Sequence, residues 1–211
     1  MARNEWPFGG LRSLAGYEVI VANPPLPFEL YSEKGESKSY QRTHGAMALP
    51  EIKALPVGHL ARDPCVLLLS TTAPMLDVSL SILAAWGFVF KSELVCRKLT
   101  TRGKPHRGTG YRVRSMHRTF LFGTVGNPKH KKFDSHFDGR VRPNGAIPHE
   151  LYELAARCCP NTFKLDLFAD GPRAGWDSWA LQPGQIEPVV HTAQELPAEE
   201  GPLLRLARAA A

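Results

Sequence analysis

Apolar and polar positions fall into blocks along the chain, and the blocks alternate between two periods. Val19 to Ala22 and Cys65 to Leu69 are short, continuously apolar and rich in branched residues, the pattern of strands buried on both faces. Phe88 to Val95, Arg118 to Val125 and Phe163 to Ala169 complete a set of five predicted strands. Between them the period lengthens. Pro50 to Leu55 predicts a short helix. Pro74 opens a longer one, with Leu76, Leu80, Leu83 and Ala84 at helical spacing and Gly87 placed to end it. Pro148 opens a third, with Leu151, Leu154 and Ala155 on one face. Residues 32–48 and 129–147 read as long loops. This alternation predicts an α/β domain over residues 17–182 with a mostly parallel, doubly wound sheet. An irregular leader, 1–16, carries Trp6 as its anchor, and 183–211 form a linker and tail.

A chain of 211 residues with 43% hydrophobic content can bury a full core. It has no apolar run of about 18 residues and no charged-then-apolar leader, so it reads as cytoplasmic, neither secreted nor membrane-spanning. The four cysteines have no metal-ligand spacing, and Cys65 and Cys96 lie in apolar runs as small core residues. The net charge of +6 is unevenly spread. Leu94 to Phe133 holds eleven Lys and Arg and no Asp or Glu, which points to a nucleic-acid surface through Arg97, Lys98, Arg102, Lys104, Arg107, Tyr111, Arg112 and Arg114.

The first predicted strand ends at Asn23-Pro24-Pro25-Leu26. Each proline fixes its own φ and pushes the preceding residue into an extended conformation, so the turn is rigid. It stands at the carboxyl end of a strand, where open α/β sheets bind ligands. An Asn side chain and a proline-fixed carbonyl can accept both hydrogens of an exocyclic amine and help the nitrogen attack a methyl donor. An aromatic fourth residue would stack on the base. Leu26 stands there, and that stacking is worth roughly 1–3 kcal/mol.

In order along the chain, this turn is followed by Ser32-Glu-Lys-Gly35, Ile52 to Val57, Ala85-Trp-Gly-Phe88, Gly108-Thr-Gly-Tyr111, Gly126-Asn-Pro128, Leu167-Phe-Ala169 and Gly175-Trp-Asp-Ser-Trp179. Together they resemble the MT-A70 family of S-adenosylmethionine-dependent adenine N(6)-methyltransferases, in its compact bacterial and phage form. The resemblance implies a Rossmann-like methyltransferase sheet. It places the catalytic tetrapeptide on Asn23, Pro24, Pro25 and Leu26, and cofactor contacts on Asn23, Phe168, Asp170 and Gln182. Several positions depart from the family pattern. Asn23 and Leu26 replace the usual Asp and Trp. Ser70 replaces a Trp after the second strand. Arg118 replaces the Glu of a His-Glu pair. Ile147 replaces a lysine, and Asp170 an arginine, expected near the cofactor's carboxylate, with Lys164 or Arg173 as candidate stand-ins.

Two readings follow from the resemblance. One is a weakened methyltransferase-fold subunit that holds nucleic acid, DNA ahead of RNA, in a homodimer or beside an active family member, its S-adenosylmethionine site lost. The other is an active adenine N(6)-methyltransferase in which Phe28 or Tyr40 supplies the missing ring.

Overall fold

The computed structural model describes residues 6–11, 15–27, 46–108 and 112–181. Seven strands form one sheet: β1 (Tyr17–Ala22), β2 (Ala61–Thr71), β3 (Val89–Leu99), β4 (His117–Val125), β5 (His136–Arg140), β6 (Lys164–Leu167) and β7 (Asp177–Trp179), in the spatial order β5-β3-β4-β2-β1-β6-β7. Four of the six pairings are parallel. The two that involve β4 are antiparallel, so β4 alone runs against the other six strands. The sheet is therefore mixed, and compatible with the methyltransferase fold that the resemblance implies.

Three helices accompany it: α1 (Leu49–Ala54), α2 (Leu76–Ala85) and α3 (His149–Cys158). Strand alternation explains their placement. Ile20 and Ala22 of β1, with Cys65, Leu67 and Leu69 of β2, share one core with Ile52 of α1 and with Ile82 and Leu83 of α2. Val19, Val21, Val66 and Leu68 point the other way, into a second core with Leu151, Leu154 and Ala155 of α3. Three helices among the described residues are fewer than a fully doubly wound sheet carries, although both faces are covered.

Four sequence expectations need correction. Of Leu76, Leu80, Leu83 and Ala84, only Leu83 is buried; α2 instead buries Ser79, Ile82 and Leu83 and is followed by buried Trp86. This helix is apolar on more than one side, so its periodicity leaves its rotation open. Two polar contacts fix it: Ser79 Oγ lies 2.7 Å from Thr71 Oγ1, and Trp86 Nε1–H donates to the Ile52 carbonyl at 2.8 Å. The 129–147 loop contains β5, and Asp177–Trp179 forms β7. Both are short edge strands without a continuous apolar run, which is why the pattern hid them. In the leader, Phe8 is the buried anchor, edge-on to Trp179 with ring centroids 5.0 Å apart, while Trp6 is half exposed. Cys65 and Cys96 are buried core thiols as expected. No described helix is long and apolar enough to cross a membrane. Tyr111, Gln182, Phe28 and Tyr40 lie outside the described residues, as do the linker and tail.

Gly139 ties the unforeseen β5 to the start of α3. A Cβ at this position would stand 2.5 Å from Cys96 Sγ and 2.8 Å from Pro148 Cβ. Cys96 is fully buried and the proline ring is stiff, so neither gives way cheaply. Gly139→Ala is therefore expected to lower the unfolding free energy by about 1–3 kcal/mol, the range for overpacking, in urea denaturation monitored by tryptophan fluorescence. An unchanged midpoint would show that β5 is not packed there.

Candidate functional site

The carboxyl ends of β1, β2, β3, β5 and β6 share one edge of the sheet. Because β4 is reversed, its amino end, with His117 and Arg118, joins them there. The Asn-Pro-Pro-Leu turn, the basic β3–β4 connection and the Asp170 turn thus leave from a common edge, as the sequence predicts.

The tetrapeptide is pinned along its length. The Asn23 N–H donates to the Leu167 carbonyl at 3.2 Å, which holds the turn beside the end of β6. The Pro24 carbonyl accepts the Leu26 N–H at 2.9 Å, and the Pro25 carbonyl accepts the Met47 N–H at 3.0 Å. The Leu26 side chain packs against the first core.

The Asn23 side chain is also engaged. Its Oδ1 accepts a 2.6 Å hydrogen bond from the Arg118 guanidinium. Arg118 further donates to Ser70 Oγ at 2.8 Å and to the Gly145 and Ala146 carbonyls at 2.7 and 3.3 Å. Burial lowers its pKa to about 10, so it remains a cation at neutral pH, and it forms no ion pair among the described residues. Sequence reasoning registered Arg118 as a departure and missed it as a site residue. The available signal was that Asn23, Ser70 and Arg118 depart together.

On the cofactor side, Phe168 follows β6 with φ of 64°, a left-handed conformation strained for an aromatic residue, and its ring meets Trp179 edge-on. Asp170 is held by Arg142, whose guanidinium contacts its carboxylate oxygens at 2.5 and 3.3 Å and also donates to the Ile147 carbonyl at 3.0 Å. The Ile147 side chain is buried in the second core. The two candidate stand-ins lie on either side of β6, Lys164 at its start and Arg173 in the segment beyond its end. Lys164 opens β6 at the far edge and donates to the Thr162 carbonyl. The Arg173 guanidinium lies 3.6 Å over the Tyr152 ring, 3.9 Å from Asp166 Oδ2 and 2.8 Å from His149 Nδ1.

The basic stretch does not form one surface. Arg97, Lys98, Arg102, Lys104, Arg107, Arg112 and Arg114 lie at the carboxyl edge. Lys129, Lys131 and Lys132 lie at the opposite edge, because β4 runs between the two groups. The acid missing from the sequence run comes from β5: Asp138 binds Arg97 through two bonds of 2.7 and 2.6 Å, which raises the arginine's pKa and lowers the aspartate's. Lys98 is partly buried and donates to Ser115 Oγ at 2.9 Å; burial, with help from Arg118, lowers its pKa. Arg102, Lys104, Arg107 and Arg114 are exposed and form no ion pair among the described residues. No metal-ligating cluster occurs among those residues either.

The comparisons with known proteins agree on a family. The MT-A70 family model matches residues 17–182. The type II methyltransferase M.MunI of Mycoplasma sp is 23% identical over 185 residues, covering 79% of this chain and 77% of that protein. A probable N(6)-adenosine-methyltransferase MT-A70-like of Oryza sativa subsp. japonica is 28% identical, and an Arabidopsis thaliana counterpart 27%, each over 175 residues and 80% of this chain. The chain spans about a quarter of the length of those two plant proteins, 23% and 24%.

Asp166 gives a pH test of the site's foundation. Burial raises its pKa to about 6, against Tyr152 and the nearby Arg173, which favour the anion. The folded state therefore binds a proton that the unfolded chain has released by about pH 4. This group lowers stability as pH rises from about 4 to about 6, with no further change above. In urea titrations, Asp166→Asn is expected to gain on the parent protein across that window and hold a constant difference above it; a difference flat from pH 4 to 7 would contradict the assignment.

Proposed function

The chain belongs to the MT-A70 family, and from that premise we propose that it is a weakened methyltransferase-fold subunit that holds nucleic acid, DNA ahead of RNA, beside an active family member or a second copy of itself. The observation that carries this reading is the 2.6 Å bond from Arg118 to Asn23 Oδ1. The guanidinium takes one of the two lone pairs of the side-chain acceptor that would receive an amine hydrogen, and sets a fixed positive charge beside it. One lone pair of the Pro24 carbonyl is filled as well, by Leu26 N–H.

The residues present do not fit a sulfonium cofactor. A sulfonium is a second cation, and the Arg118 guanidinium already sets one positive charge on Asn23, so the two would repel. On the carboxylate side, Arg142 is committed to Asp170, Arg173 to Tyr152 and His149, and Ile147 cannot donate. The exposed cations of the β3–β4 connection then supply the remaining function, contact with phosphates.

One observation favours the active-enzyme reading: the Asn23 N–H to Leu167 bond keeps the turn beside Phe168, where the resemblance places a cofactor contact. In that case Asn23 and the Pro24 carbonyl would hold the amine.

Calorimetric titration with S-adenosylmethionine, run alongside fluorescence anisotropy with a 20-nucleotide DNA, separates the readings. The weakened subunit predicts no saturable heat at 1 mM cofactor (~1 mM corresponds to about −4 kcal/mol). It also predicts DNA affinity that falls steeply with salt. Micromolar cofactor binding would overturn it.

A further inference from the structure

The basic cluster at the edge opposite Asn23 lies beside a cleft that the methyltransferase reading leaves unused. β4 ends at Gly126, whose φ of 61° and approach to Asp63, with Oδ1 2.0 Å from an added Cβ, admit only glycine. The chain turns there into Asn127-Pro128 and then Lys129-His130-Lys131-Lys132-Phe133. A cleft of about 450 Å³ opens beside this segment, lined by Phe122, His130 and Phe133 together with Lys91 and Lys132; Glu93 is the one acid on its wall. The three rings meet one another with centroids 5.4 Å apart in each pair.

The segment is held in place from below. Lys131 N–H donates to the Cys158 carbonyl at 2.8 Å, and Cys158 Sγ contacts the Lys132 carbonyl at 3.6 Å, so the end of α3 fixes the backbone while the side chains stay outside. Lys91, Lys129, Lys131 and Lys132 are exposed and form no ion pair among the described residues. Uncommitted cations interleaved with accessible rings are what a single strand of nucleic acid requires. Phosphates meet the lysines, and a base, whatever its identity, meets an aromatic face.

We propose that this cleft is a second nucleic-acid contact, which takes a single-stranded tract with a base against His130 and Phe133 and phosphates on Lys131 and Lys132. The nine residues of β4 separate it by about 30 Å from the Asn23 edge. A nucleic acid engaged at both edges therefore needs length beyond the target base itself. The proposal rests on the nucleic-acid reading above, and its test distinguishes the two.

The experiment measures binding of fluorescein-labelled (dT)20 to the full-length protein against salt, for the parent protein, a Lys131→Glu/Lys132→Glu pair, His130→Ala, and an Arg102→Glu/Arg107→Glu pair at the carboxyl edge. All five positions are exposed, so the substitutions leave the core intact. Loss of affinity by about tenfold in His130→Ala, and a salt slope reduced by about 1.4 in the lysine pair, are expected. Ultraviolet crosslinking of 5-iododeoxyuridine in the same oligonucleotide is expected to label the peptide spanning 129–133. No crosslink to that peptide, or affinity lost only in the carboxyl-edge pair, overturns the second contact and leaves the nucleic-acid reading standing. A parent protein that does not bind (dT)20 at low salt overturns both.

Discussion

The carboxyl edge depends on one guanidinium. Arg118 reaches from the reversed strand β4 to Asn23 at the end of β1, Ser70 at the end of β2 and the carbonyls of the 145–146 turn. Its planar fork matches acceptors spread around it, which lysine's single ammonium would not do. It is desolvated, and among the described residues no carboxylate pairs with it, so there its charge is held by neutral acceptors. Such a group persists where several acceptors share the desolvation cost, and four hydrogen bonds do that here.

Set against the family pattern, the departures form two coupled groups. Arg118 donates to both Asn23 and Ser70 at the catalytic turn. Ile147 and Asp170 are joined on the cofactor side through Arg142, which donates to the Ile147 carbonyl and to the Asp170 carboxylate. In the first group an acid pair gives way to an amide and a cation. In the second the expected lysine is replaced by a core residue, while a cation and an acid neutralise each other. Independent decay would leave unpaired polar groups. Here Arg118 pairs with Asn23 and Ser70, and Arg142 with Asp170, which fits a turn retained for its shape while its chemistry changed.

Much of the fold was legible because its central strands are buried on both faces. Residues 19–22 and 65–69 read as strands without any knowledge of neighbours, and Pro148 with Leu151, Leu154 and Ala155 placed α3 correctly. The edge strands β5 and β7 were not legible, since an edge strand needs little apolar patterning. The reversal of β4 was not legible either, and it matters most for function. It delivers Arg118 to the Asn23 edge and carries three of the eleven cations of the basic stretch to the far side of the sheet. The candidate site was legible as a set of positions; what each position bonds to needed the three-dimensional arrangement. Asp138, which neutralises Arg97 from another strand, illustrates the limit of reading charge along the chain alone.

The most direct test is methyl transfer itself. The protein would be incubated with radiolabelled S-adenosylmethionine and an adenine-containing oligonucleotide, with Asn23→Ala as the reference. If Arg118 has claimed the amine acceptor, the two proteins incorporate label at the same background rate. Incorporation by the parent protein a hundredfold above Asn23→Ala would contradict the account, and would mean that the Arg118–Asn23 bond opens when the base arrives.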